Sequence, residues 1–162
     1  MDTARSPVSE VMRSDFVSLR EEDRLDLVEQ VMTLGRVRHL PVLDAGRRLV
    51  GIVSQRDLLR ASLASVLDFG TAERRTFLRA VDVGEVMTRE VQSVGPDTPL
   101  GVAASRMIRH RIGCLPVVDE GGRAVGLLTE TDLLVAAYLG PARASSASTT
   151  ENFPLPRPGG SG

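Results

Sequence analysis

The hydrophobic positions of the chain fall into two alternating spacings, and the alternation then starts again. Leu25, Val28, Val31 and Met32 recur at the period of a helix with one buried face. Two short apolar runs follow, "HLPVLD" (39–44) and "LVGIVS" (49–54), parted by Ala45-Gly46-Arg47, which predicts a β-hairpin. A second helix is expected to open at Asp57. Farther on, Leu100, Ala103, Ala104 and Met107 restore the helical period. "CLPVVD" (114–119) and "AVGLLT" (124–129) then flank a turn at Glu120-Gly121-Gly122, and a helix is expected from Asp132. A short extended piece precedes each first helix, "FVSL" (16–19) and "VQSV" (91–94). Thr98 is placed to cap the later helix, with Pro99 at its first position, where a missing N–H is harmless. Asp23 takes the cap position in the earlier set.

The two sets are copies. Residues 8–59 lie over residues 83–134 at a constant offset of 75 (126 − 51), without a gap. "VSEVM" (8–12) falls on "VGEVM" (83–87), and "HLPVLDAGRRLVG" (39–51) on "CLPVVDEGGRAVG" (114–126). Leu25, Met32 and Arg36 meet Leu100, Met107 and Arg111, and roughly a third of the positions are identical. This is a tandem duplication of a β-α-β-β-α unit, an α/β fold. One unit alone is too small to bury a stable core, so the copies are expected to pack about a pseudo-twofold axis. Their apolar strands predict sheets covered on both faces. Residues 60–82 read as a helical linker with a break near Gly70. The tail, 140–162, is rich in Pro, Gly, Ser and Thr and is expected to be disordered. Its "PLPRP" fits a polyproline ligand, but a solvated tail is the simpler reading.

Composition narrows the function. A net charge of −1 gives no global attraction to nucleic acid or anionic membranes, and five aromatic residues (four Phe, one Tyr) are too few for stacking platforms. All 20 basic residues are Arg, a compositional bias that makes every cation a planar fork suited to phosphate or carboxylate. Cys114 is the single cysteine, so no intrachain disulfide or cysteine-based metal cluster is expected. With no apolar run of signal-peptide or membrane-span type, a reducing, cytoplasmic setting is expected. His39 and His110 lack the companions of a zinc site, and no motif supplies an oriented nucleophile, so neither a metal nor catalytic residues are expected. Met12, Met32, Met87 and Met107 sit at repeat-related positions and read as packing.

The chemistry worth testing lies in "GIVSQRDLL" (51–59) and its twin "GLLTETDLL" (126–134). A hydroxyl residue three positions before an aspartate is a capping box: Ser54 or Thr129 accepts from an early helical N–H, and Asp57 or Asp132 answers. The same geometry suits a phosphorylated ribose. A helix N-terminus offers N–H groups and a favourable dipole to an anion, and a carboxylate one turn in accepts from sugar hydroxyls. Both readings can hold together.

The series "V-x-E-V-M", "L-P-V-V-D-E-G-G-R" and "V-G-L-L-T-E-T-D-L-L", present in both copies, resembles the CBS domain, named after cystathionine β-synthase. The pair resembles a stand-alone Bateman module over residues 8–139, with repeats at 8–59 and 83–139. The resemblance implies a regulatory, non-enzymatic module that binds AMP, ADP, ATP or S-adenosylmethionine in clefts between the repeats. It implies phosphate and ribose contacts from Ser54, Asp57, Thr129 and Asp132, with Arg56 and Thr131 adding to the phosphate. The two residues before "LP" often carry phosphate-binding cations in the family. Here they are Arg38 and His39 in the first copy, but Gly113 and Cys114 in the second. The adenine wall would come from backbone near 14–17 and 89–92. Unequal clefts are therefore expected, one with cations for a polyphosphate and one weaker or empty. The resemblance further implies a homodimer stacked through helices and a separate effector protein. The competing reading is a structural dimerisation module with degenerate, unoccupied clefts.

Overall fold

The computed structural model describes residues 2–69 and 73–141. The expected break at Gly70 and the expected disorder of 142–162 lie outside the described residues. Each copy places a helix before and after a β-hairpin. In the first copy these are α1 (Leu25–Gly35), β1 (His39–Leu43), β2 (Leu49–Ser54) and α2 (Gln55–Phe69). The helices α3 (Arg74–Ala80) and α4 (Val83–Val86) lead to α5 (Leu100–His110), β3 (Cys114–Val118), β4 (Ala124–Thr129) and α6 (Glu130–Leu139). Each sheet has two antiparallel strands, with His39 opposite Ser54 in one and Cys114 opposite Thr129 in the other.

The expected first strand of each copy contracts to a single residue. Leu19 donates its N–H to Pro41 (2.9 Å) and accepts from Leu43 (2.8 Å); Val94 does the same with Pro116 (3.1 Å) and Val118 (2.9 Å). The ladder stops there because the chain turns at once. Asp23 accepts from the Arg20 N–H (2.8 Å), and the Thr98 hydroxyl accepts from the Gly95 N–H (3.2 Å). These bonds also correct the expected caps. Because Asp23 and Thr98 close the preceding turns, the cap positions fall one residue later, on Arg24 and Pro99, neither with a side-chain cap bond. Pro99 thus precedes the first helical residue instead of occupying it. The second helices begin two residues before their aspartates, at Gln55 and Glu130.

The cores are exchanged between the copies. Val83 and Met87 are buried among Leu19, Leu25, Val28, Leu40, Val42 and Val53 of the first copy. Val8 and Val11 are buried among Val94, Leu100, Leu115, Val117 and Leu128 of the second. So "VSEVM" and "VGEVM" each complete the other copy's core. The hydrogen bonds obey the same exchange. Val8 N–H donates to Thr98 (2.8 Å) and Arg13 N–H to Leu127 (2.9 Å); 75 residues on, Val83 donates to Asp23 (2.7 Å) and Thr88 to Ile52 (2.9 Å). Arg48 bridges Arg123, its own repeat mate, so a pseudo-twofold axis runs between them. A valine or leucine fully buried in this way contributes on the order of 1.5–3 kcal/mol.

Gly51 and Gly126 exist for this exchange. A β-carbon on Gly51 would lie 2.5 Å from Met87 Sδ and 3.1 Å from the Thr88 carbonyl oxygen. One on Gly126 would meet Met12, with Cγ at 2.9 Å. The bare backbone gives each methionine its seat. No helix among the described residues is long and apolar enough to cross a membrane.

Candidate functional site

Each repeated motif sits where a strand hands over to a helix. Ser54 and Thr129 end β2 and β4, and the aspartates occupy the third helical position. Asp57 Oδ2 accepts from Ser54 N–H (2.8 Å) and Ser54 Oγ (2.9 Å), while Ser54 Oγ lies 3.2 Å from the Asp57 N–H. Asp132 Oδ2 accepts from Thr129 N–H and Thr129 Oγ1, both at 2.8 Å, with the reciprocal bond at 3.3 Å. Both pairs are therefore capping boxes. Aspartate suffices in place of the usual glutamate because Oδ2 alone serves backbone and hydroxyl donors together.

The strand register gathers the other expected residues. His39 lies across the hairpin from Ser54, and Cys114 across from Thr129. The carbonyls of Arg38 and Gly113 accept from the Gln55 (2.8 Å) and Glu130 (3.0 Å) N–H groups, which ties the residue before each hairpin to the helix start. Arg38, Arg56 and Thr131 are exposed, and their side chains are free of hydrogen bonds among the described residues. Thr88 runs beside β2 and Arg13 beside β4, so each copy's opening segment lies along the motif-bearing strand of the other copy.

Charge separates the two ends. Burial lowers the His39 pKa below its ordinary 6.5; Glu130 and Asp57 oppose that shift and Arg38 reinforces it. Glu130 arrives from the other copy: a β-carbon on Gly113 would lie 3.2 Å from Glu130 Oε1 and 3.4 Å from His39 Cε1. At the second motif, burial and then the Asp132 charge push the Cys114 thiol up to about 12, against a smaller opposing effect of Arg13. Arg13 Nε holds Asp132 Oδ1 at 3.1 Å, with the Asp132 side chain 4% exposed. Among the described residues no such cation reaches Asp57, and its Oδ1 carries no hydrogen bond. Sequence reasoning missed both Glu130 and Arg13. The available signal for Arg13 was a mismatch, Arg13 against Thr88, directly after the matching "EVM".

A duplicated strand–hydroxyl–helix motif in two interlocked halves agrees with the family model of the CBS domain, which matches residues 8–64 and 83–138. The chain belongs to the CBS-domain family. It is 34% identical over 126 residues, or 78% of its length, to a homoserine O-acetyltransferase of Methanococcoides burtonii, of which it spans 23%. Among solved structures, the CBS domain of a CBS domain-containing membrane protein from Sphaerobacter thermophilus is 31% identical, with a TM-score of 0.66. That match covers 82% of this chain and 88% of the other. CBSX2, solved in complex with AMP, is 28% identical with a TM-score of 0.70, covering 83% of this chain and 97% of its own. CBS pairs are regulatory modules, and the acetyltransferases meet this chain only in that part of their length.

Proposed function

We propose that this CBS pair is a sensor that binds an adenine nucleotide (AMP, ADP or ATP) between its repeats and transmits occupancy to a separate effector protein. The observation that carries the reading is Asp57: a carboxylate fixed by one oxygen at a helix N-terminus, with the other oxygen free for ribose hydroxyls. Ser54 and the start of α2 take the phosphate, with Arg38, His39 and Arg56 supplying positive charge. Thr129, Thr131, Asp132, Gly113 and Cys114 form the second cleft, poorer in cations. The AMP complex of CBSX2 supports the ligand class. Ligand changes the module only through contacts that differ between two states, so the output is a shift in geometry at a partner surface.

A homodimer is part of the reading. Leu59 and Leu63 on α2, and their repeat mates Leu134 and Tyr138 on α6, are 59–84% exposed, an apolar face on helices that otherwise cap the sheets. Sedimentation checks it: Leu63→Glu is expected to give a monomer where wild type sediments as a dimer. The buried, unpaired Cys114 thiol suits a reducing cytoplasm.

Calorimetry with AMP, ADP, ATP and S-adenosylmethionine tests the ligand. Asp57→Ala is expected to weaken nucleotide binding about tenfold or more, since a hydrogen bond to a charged group contributes about 1.5–3 kcal/mol. Unchanged affinity in both Asp57→Ala and Asp132→Ala overturns the ribose assignment. A second reading, a dimerisation module with unoccupied clefts, draws on Asp132 being already engaged by Arg13. It predicts no binding of any of the four ligands.

A further inference from the structure

The pseudo-twofold axis gives the molecule an internal control, because every position in one cleft has a counterpart in the other. Positions 13 and 88 are such a pair. The Arg13 N–H and C=O bond to Leu127, each at 2.9 Å, and those of Thr88 bond to Ile52 at 2.9 and 3.0 Å. The backbone is thus held alike at both places, and only the side chain differs. At position 13 the guanidinium reaches across the repeat boundary to Asp132 Oδ1 at 3.1 Å. At position 88 a threonine stands in its place, and Asp57 Oδ1 carries no hydrogen bond among the described residues. The other oxygen of each aspartate is committed to its capping box in both copies. Oδ1 is therefore the oxygen left to meet a sugar hydroxyl, and in the second copy it is taken.

From this juxtaposition we infer that Arg13 selects between the two clefts, occupying the ribose-accepting oxygen of Asp132 so that nucleotide enters only at Asp57. The inference rests on the nucleotide reading above and adds to it a residue outside the repeated motif. Three features make Arg13 an effective occupant. It comes from the opposite copy, on a segment anchored by the buried Val8 and Val11, so its backbone is fixed. Its partner is nearly fully buried, where an ion pair is weakly screened and a lone carboxylate is costly. A neutral ribose that displaces the guanidinium exchanges a charged partner for an uncharged one. The motif residues Thr129 and Asp132 can then be intact while their cleft stays closed, which separates the motif from its occupancy.

The test is the number of AMP molecules bound per chain of residues 1–162, measured by calorimetry on wild type, Arg13→Thr and Thr88→Arg. Each variant gives one copy the residue of its repeat mate. Wild type is expected to bind one AMP, and Arg13→Thr two, with the added site lost again in Arg13→Thr/Asp132→Ala. Thr88→Arg is expected to lower AMP affinity at the original site at least tenfold. Should Arg13→Thr fail to fold, as shown by its melting curve, Thr88→Arg decides alone. Two AMP per wild-type chain overturn the inference and leave the nucleotide reading standing. So does a folded Arg13→Thr chain that binds the same number as wild type, or a Thr88→Arg chain of undiminished affinity. No AMP bound by wild type or Arg13→Thr overturns both.

Discussion

The charge state of His39 is set by its surroundings. Burial is the largest influence on its pKa and lowers it, Glu130 raises it, Arg38 lowers it, and Asp57 raises it. A histidine whose folded pKa lies below its unfolded value binds fewer protons in the folded state. Its contribution to stability is therefore complete above about pH 6.5 and is lost as pH falls through the folded value. A phosphate beside the ring acts in the opposite sense and favours the imidazolium. AMP binding near pH 7 is accordingly expected to take up protons. Calorimetry in two buffers of unlike ionisation enthalpy measures this, and the uptake is expected to vanish in His39→Ala. The candidate site residues were legible where a motif carries them. Ser54, Asp57, Thr129 and Asp132 stand at a fixed offset in a fixed chemical pattern. Glu130 and Arg13 act on the other copy, and Arg13 meets Asp132 across 119 positions of chain, so beyond the mismatch of Arg13 with Thr88 no local pattern points to them.

At the scale of elements, helices and hairpins followed from hydrophobic period, while their ends did not. Asp23 and Thr98 are good cap residues, but a turn competes for the same oxygens and wins, which moves each helix start by one residue. The extended pieces were visible as apolar runs, yet a run does not say how many rungs it forms. Here each forms a single parallel bridge before turning. Gly51 and Gly126 read from sequence as parts of the ligand motif, but their structural task is to admit Met87 and Met12. Gly126→Val is expected to destabilise the fold by about 1–3 kcal/mol, the usual penalty of overpacking. Urea denaturation followed by circular dichroism measures it. The same valine at Gly122, where a β-carbon meets nothing within 4 Å, is strained by a φ of +78° instead of by crowding. Comparing the two separates packing from backbone conformation, because Met12→Ala relieves only the first.

For the whole molecule, the duplication and its axis were readable from the 75-residue offset, but the exchange of opening segments was not. In sequence, "VSEVM" stands at the head of its own copy, and only tertiary packing assigns Val8 and Val11 to the other. Neither half therefore owns a complete core. Fragments 1–72 and 73–162, made separately, are expected to lack cooperative melting, and an equimolar mixture to regain it. Differential scanning calorimetry distinguishes the cases.

That borrowing also sets a timetable for synthesis. A ribosome makes the first copy's helices and hairpin well before Val83 and Met87, two of the side chains that close its core. Domains that fold independently can form as they emerge, N-terminal first. Here the leading copy must wait, with apolar surface open, for the start of the trailing one. The trailing copy meets its borrowed segment, residues 8–11, already made. The two halves are alike in space yet unlike in the order in which translation allows them to be completed.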